Sequence, residues 1–276
     1  MNEKKLTFIG AGNMSGSLIG GLIADGIPAE LITVSDPSHE QLQHLKQAAN
    51  IHVSTDNNQA IENADVVILA IKPQIMAAVA REISPQVQQS KPLIISIAAG
   101  IHSTDMDRWL GGNTAIVRCM PNTPALVQTG ATALFANPLV DHIQHDLAES
   151  ILRAVGLALW VEKEELLDAV TAVSGSGPAY FFLVIEAIQS AGESLGLAPE
   201  TAKLLAVQTA LGAAKMAIES EDSAAVLRQK VTSPGGTTEK ALQVLEKGGL
   251  PALFMQALKS ASDRSKQLAE QFGAES

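Results

Sequence analysis

The sequence predicts an α/β N-terminal half built on a parallel sheet, followed by an all-α C-terminal half. Three observations predict it. Over residues 6–161 short apolar, β-branched runs alternate with helical patterns, which implies right-handed crossovers onto one sheet. The first of these runs enters a glycine-rich bend, Ile9-Gly10-Ala11-Gly12-Asn13-Met14-Ser15-Gly16, and leaves it as a helix. Beyond about residue 164 nearly every stretch is rich in Ala and Leu at helical spacing, and no strand pattern follows.

In chain order, residues 6–9 read as a buried strand and the bend after them as a phosphate-binding turn. Gly10 permits the tight turn and Gly12 lets the backbone approach a pyrophosphate. The free N–H groups opening the next helix add donors and a positive dipole. The third glycine of the usual G-x-G-x-x-G is Ser15 here, with Gly16 one step later; a small side chain still lets the helix lie close to the strand. Taken alone, such a pattern is also an ordinary turn. Residues 31–35 form a second strand ending at Asp36, residues 39–49 a helix, residues 51–53 a brief strand, and residues 66–70 a buried one that leads into Lys72-Pro73. Residues 93–97 and 115–119 add two more, finishing in Ala98-Ala99-Gly100 and Met120-Pro121-Asn122-Thr123-Pro124. Ligands bind outside the carboxyl ends of such strands, which turns the glycine bend into a dinucleotide site. Asp36 stands where a carboxylate accepts hydrogen bonds from an adenosine ribose, and this favours NAD. A 2′-phosphate would be repelled there, and Pro37-Ser38-His39 offers it no Lys or Arg. The other reading of Asp36 is a helix cap before His39.

The boundary between the halves falls near residue 164, giving domains 1–163 and 164–276. Gly177-Pro178 opens a helix that runs through Tyr180-Phe181-Phe182 to about residue 195, where Gly196 and Pro199 break it. Further helices are predicted over 200–220, 223–230, 237–247 and 251–271, the first carrying the small-residue face Gly212-Ala213-Ala214. Two clusters interrupt this half, Ser174-Gly175-Ser176-Gly177-Pro178 and Thr232-Ser233-Pro234-Gly235-Gly236-Thr237-Thr238, each before a helix. The second presents backbone N–H groups and hydroxyls at a positive helix end, suited to a small carboxylate. It reads equally as a helix cap by Thr237 or Thr238.

Composition narrows the classes. Hydrophobic residues make up 46% of 276, so the chain can bury a core. A net charge of −10 argues against a nucleic-acid surface, which needs clustered Lys and Arg. The single cysteine, Cys119, follows an apolar run and reads as a buried thiol outside any intramolecular disulfide framework. His142 and His145 share a helix face beside Asp141 and Asp146, a solvated surface, and no metal site is expected. No uninterrupted apolar run reaches the roughly 18 residues of a membrane span, and residues 1–5 lead straight into a strand. The expectation is a soluble, cytoplasmic protein without a membrane partner.

Six blocks in this order resemble the pyrroline-5-carboxylate reductase family across essentially the whole chain. They are Phe8-Ile9-Gly10-Ala11-Gly12-Asn13-Met14, Ile71-Lys72-Pro73, Ser96-Ile97-Ala98-Ala99-Gly100, Arg118-Cys119-Met120-Pro121-Asn122-Thr123-Pro124, residues 168–180 with their Ser-Gly-Ser-Gly-Pro, and residues 231–238. The resemblance implies a Rossmann-type N-terminal domain and a helical C-terminal dimerisation domain that interlocks with a second subunit, the dimers often forming decamers. It implies reduction of (S)-1-pyrroline-5-carboxylate to L-proline with NADPH or NADH, the last step of proline biosynthesis.

It also implies residue roles. Gly10, Ala11, Gly12, Asn13 and Met14 would hold the pyrophosphate, with Ser35 and Asp36 at the ribose and Asn57 at the adenosine end. Ala70, Lys72, Ala98 and Ala99 would lie along the cofactor. Ser233, Gly236, Thr237 and Thr238 would bind the substrate, Thr238 also meeting the ring nitrogen, by orienting and polarising it more than by acting as a strong acid. Glu164 matches a family position near substrate and is equally an exposed first-turn charge. Lys72 is either steering for two anions or a surface lysine. At Asp36 many relatives carry a small hydroxyl residue, so the family points to NADPH and the local charge to NADH; Lys230 is a candidate to offset the penalty. Two rivals remain. A β-hydroxyacid or imine dehydrogenase of similar layout would carry a lysine one turn beyond Gly177-Pro178, where this chain has Ala179, Tyr180, Phe181 and Phe182. A non-catalytic NAD(P)-sensing or pyridoxal-binding regulator is the other.

Overall fold

The computed structural model describes residues 3–273. The chain divides into two compact units, one running to Ser176 and resuming at Ser260, the other comprising Gly177–Lys259.

The first unit follows the predicted alternation. Its elements are β1 (Leu6–Ile9), α1 (Asn13–Ala24), β2 (Ile32–Ser35), α2 (His39–Ala49), β3 (His52–Ser54), α3 (Asn57–Ile61), β4 (Val66–Leu69), α4 (Pro73–Ser90), β5 (Leu93–Ser96), α5 (Ser103–Trp109), β6 (Ile116–Met120), β7 (Gly130–Ala136), α6 (His142–Arg153), β8 (Gly156–Trp160) and α7 (Leu166–Val170). They build a sheet in the order β3-β2-β1-β4-β5-β6-β7-β8. The first six strands are parallel, with the order reversing between β1 and β4. The central strands β4 and β5 carry apolar residues on both faces because helices cover both. Leu6, Phe8 and Ile68 pack with α1, α2 and α6 on one side. Ile9, Leu69 and Ile94 pack with α4 and α5 on the other, where Phe272 of the C-terminal helix also inserts.

Two strands go beyond the sequence reading. β7 runs antiparallel to β6, and β8 pairs parallel with β7. Their residues, Gly-Ala-Thr-Ala-Leu-Phe-Ala and Gly-Leu-Ala-Leu-Trp, are poor in the β-branched types that mark strands. Pairing with β6 supplies the strand geometry that local propensity does not.

The second unit contains α8 (Gly177–Ser194), α9 (Pro199–Glu219), α10 (Ala224–Lys230), α11 (Thr237–Lys247) and the first part of α12 (Leu250–Gly273). α8 packs on α9, with Ala202 and Ala206 as the buried contacts of α9. Large apolar side chains stay exposed within the single chain, Phe181 at 69% and Ile218 at 85%. The sequence puts the domain boundary at residue 164, whereas the compact units part after Ser176. α7 packs on β6 and β7, and the stretch therefore stays with the sheet. The cluster at 174–178 links two helices closely: α7 passes into one π turn, Thr171–Gly175, and after a bend at Ser176 α8 opens at Gly177. The joined run Leu166–Ser194, 29 residues, is long and apolar enough by length and composition to cross a bilayer. It is still no uninterrupted apolar run, since Ser174, Ser176, Glu186 and Gln189 lie within it.

Candidate active site

The glycine bend follows β1 at the carboxyl edge of the sheet, beside the point where strand order reverses. Gly10 has φ +104°, and a Cβ there would stand 2.4 Å from the Ala70 carbonyl oxygen. Only glycine meets both conditions. Ser15 is fully buried and its hydroxyl donates to the Gly10 carbonyl at 2.7 Å. The departure from the third glycine thus becomes a brace for the turn. Gly12 is the N-cap of α1, no side chain caps that helix, and no acidic residue sits in its first turn. A Cβ on Gly12 would meet nothing within 4 Å. Open donors at a helix start with clear space beside them fit a dinucleotide pyrophosphate.

Asp36 is tied to this turn. Its Oδ2 accepts the Ala11 N–H and its Oδ1 accepts the Ser38 N–H, both at 2.8 Å. It does not cap α2; Ser38 does. A carboxylate oxygen accepts two hydrogen bonds, so each oxygen keeps capacity for a ribose hydroxyl while its charge stands at the turn. Ser35 is buried and donates its hydroxyl to Asn57 Oδ1 at 2.8 Å, while Asn57 Nδ2 donates to Glu82. Ala70 lies against Gly10 and Lys72 is the exposed N-cap of α4. Ala98, buried, and Ala99 follow β5. All of the predicted cofactor residues therefore stand at carboxyl ends of strands in one unit.

Glu164 is no exposed charge. Its Oε1 accepts the Ser103 N–H at 2.6 Å and Arg118 Nη1 at 2.7 Å, and its Oε2 accepts the Ser103 hydroxyl at 2.8 Å. His102 Nδ1 lies 3.8 Å from Oε1. Burial works to raise the carboxyl, but the His102 ring, the Arg118 guanidinium and the Ser103 N–H overcome it and hold it at about 2. The same carboxylate raises the His102 imidazole above its ordinary value, against burial and Arg118. Glu164 is thus permanently ionised at neutral pH and fastens the start of α5 to β6.

In the second unit Gly236 is the N-cap of α11, and no side chain caps the helix. Thr237 and Thr238 are its first two residues and not its caps, so the capping reading falls away. Gly235 donates its N–H to Glu239 Oε2 at 2.8 Å and Gly236 its N–H to the Ser233 carbonyl at 3.0 Å. The first-turn donors of Thr237 and Thr238 carry no intrahelical role. Lys230 is paired with Asp222 in this unit.

Residues 164–268 match the family described as pyrroline-5-carboxylate reductase dimerisation. Residues 5–100 match the family described as NADP oxidoreductase coenzyme F420-dependent. The pyrroline-5-carboxylate reductase of Pseudomonas aeruginosa is 52% identical over 273 residues, 99% of this chain and 100% of that protein. The chain belongs to the pyrroline-5-carboxylate reductase family. The solved structure of a pyrroline-5-carboxylate reductase from Coxiella burnetii superposes with a TM-score of 0.93 at 50% identity, covering 97% of this chain and 99% of that one. The Plasmodium falciparum pyrroline carboxylate reductase, solved with NADP bound, gives 0.86 at 31% identity over 98% and 99%. The Rossmann-like domain and the all-α dimerisation domain are those of the reductase family.

Against that background the Arg118 cluster is what residue reading missed. Arg118 is a charge inside the apolar run of β6 and is 6% exposed. A buried charge requires a partner, and that was the available signal; spacing alone could not name Glu164, 46 positions away.

Proposed function

We infer that the protein is a pyrroline-5-carboxylate reductase, reducing (S)-1-pyrroline-5-carboxylate to L-proline. The observation that carries this is identity of 52% across 99% of the chain, with both glycine clusters in place. Reduced nicotinamide nucleotide, bound at the glycine bend, supplies the hydride to the imine carbon. The chain's own residues do the rest. Gly10 to Met14 present backbone donors to the pyrophosphate. Ala98 and Ala99, at the end of β5, would lie along the cofactor. The N–H groups opening α11 take the substrate carboxylate, and the Thr238 hydroxyl orients the ring nitrogen, the proton arriving from Thr238 or through solvent. Placement of two bound reactants provides most of the acceleration. Glu164 acts as a fixed anion holding α5 and β6, not as an acid, because it carries no proton at neutral pH.

The carboxylate of Asp36 supports use of NADH alongside NADPH, since it stands at the turn. The apolar faces of α8, α9 and α12 support an interlocked dimer, and the family habit extends this to dimers assembled as a decamer. A cytoplasmic location accords with consumption of reduced nucleotide.

The test is to mix protein, pyrroline-5-carboxylate and each reduced nucleotide and follow nicotinamide absorbance. Turnover with both is expected; none with either, from folded protein, sinks the reductase reading, and a hundredfold or greater preference for NADPH sinks the weight placed on Asp36. Thr238→Ala should lower kcat at least tenfold with nucleotide binding nearly unchanged.

A further inference from the structure

Resting on the cofactor reading above, we propose that Ser103 and Arg118 are positioning residues for the nicotinamide end of the nucleotide, fixing through Glu164 the short loop that carries Ala98 and Ala99. The sheet sets which end of the cofactor this is. Asp36 and Asn57 follow β2 and β3 and the glycine bend follows β1, with β4 and β5 next in the strand order. A dinucleotide with its adenosine at Asp36 and its pyrophosphate at the bend therefore runs past the end of β4 and brings its nicotinamide to the loop after β5.

That loop, residues 97–102, is fixed at its start, middle and end. Ile97 donates its N–H to the Leu69 carbonyl at 3.2 Å, and Ala98 its N–H to the Ser96 hydroxyl at 3.3 Å. Gly100, at φ +71°, lies against the end of α12, where an added Cβ would stand 3.4 Å from the Ala269 nitrogen. Ile101 is fully buried. The end of the loop depends on charge. His102 is the N-cap of α5, but its side chain caps nothing; the Glu164 carboxylate instead accepts both the N–H and the hydroxyl of Ser103. Arg118 closes the bracket. It is the sheet neighbour of Ser96, where the loop begins. Its guanidinium donates to Glu164 at 2.7 Å and lies 3.4 Å from His102 Nδ1, where the loop ends. The buried cation inside β6 thus holds the carboxylate that holds the loop. A loop released at this end misplaces the nicotinamide, to which hydride transfer is sensitive, and leaves the adenosine contacts at β2 as they were.

The test is titration calorimetry of Ser103→Ala and Arg118→Met in the full chain, with NADH against ADP-ribose and NADPH against 2′-phospho-ADP-ribose. Each ADP-ribose compound lacks the nicotinamide. The reduced nucleotides should bind about threefold more weakly to Ser103→Ala and about tenfold more weakly to Arg118→Met, the losses of one neutral and one charged hydrogen bond. The ADP-ribose compounds should bind as they do to the wild type, and the KM for pyrroline-5-carboxylate should not move. Should Arg118→Met fail to fold, Ser103→Ala, which removes a single hydroxyl, decides alone. Equal weakening of the nucleotides and the ADP-ribose compounds, or wild-type affinity for all four, overturns the proposal. A raised KM for pyrroline-5-carboxylate at unchanged nucleotide affinity overturns it in favour of direct substrate contact by Glu164. A wild type that binds neither reduced nucleotide would instead refute the cofactor reading itself.

Discussion

At the scale of single residues, Glu164 and Arg118 decide more than their neighbours do. The carboxyl falls from an ordinary 4.5 to about 2 on folding, a linkage on the order of 3 kcal/mol. Because the folded value is the lower one, this stabilisation is complete above pH 4.5 and is lost as pH falls from 4.5 towards 2. His102 has the opposite sign: its folded value is raised, so its contribution is complete below about pH 6.5 and is lost as pH climbs through the raised value. Chemical denaturation across pH should find Glu164→Gln less stable at pH 7 by about 2–4 kcal/mol, with Arg118 left buried and unpaired, and with a flatter acid limb. A mutant whose acid limb parallels the wild type would show that Glu164 does not carry it. The glycine bend and Asp36 were legible from types and spacing alone, since Gly10 and the strand before it are neighbours in the chain. The Arg118–Glu164 pair was not, because the two charges meet only when α5, β6 and the loop before α7 come together.

At the scale of elements, the π turn between α7 and α8 is the feature that ties helix to sheet. Asn122 follows β6 and is 8% exposed. Its Oδ1 accepts the Ala131 N–H at 2.9 Å and its Nδ2 donates to the Ser174 carbonyl at 3.0 Å, bridging β7 and the turn. Gly175 lets Met120 lie close: a Cβ there would stand 2.6 Å from the methionine methyl. Asn122→Ala leaves a partly buried N–H and a C=O without their Asn122 partner and should cost about 1–3 kcal/mol, read as a shift in urea midpoint at unchanged slope. An unchanged midpoint would mean that the bridge contributes nothing. From sequence the cluster at 174–178 reads as a break, because Gly and Pro usually end helices. Here Pro178 falls in the first turn of α8, where its missing N–H is no loss. β7 and β8 escaped notice for the converse reason, being short Ala- and Gly-rich runs made into strands by the partner strand beside them.

At the scale of the whole molecule, the second unit exposes too much apolar surface to be complete as one chain, with Phe181, Phe182 and Ile218 all more than half exposed. If a second copy supplies the missing contacts, stability is linked to protein concentration by mass action. The thermal midpoint should rise as the protein is concentrated a hundredfold, by scanning calorimetry, and a midpoint indifferent to concentration in the range where sedimentation shows dissociation would contradict this. What the sequence determined by itself is whatever neighbouring residues encode: the strand–turn–helix around Gly10, the alternation that makes a parallel sheet, the Ser233 to Thr238 turn, and through these the family and its chemistry. The tertiary structure alone decided that Asp36 grips the turn through the Ala11 N–H, that Glu164 is a half-buried anion held by Arg118, that β7 and β8 extend the sheet, and that a π turn links α7 to α8. Each of those depends on groups far apart in the chain, whose hydrogen bonds and charges have no partner until the fold brings them within reach.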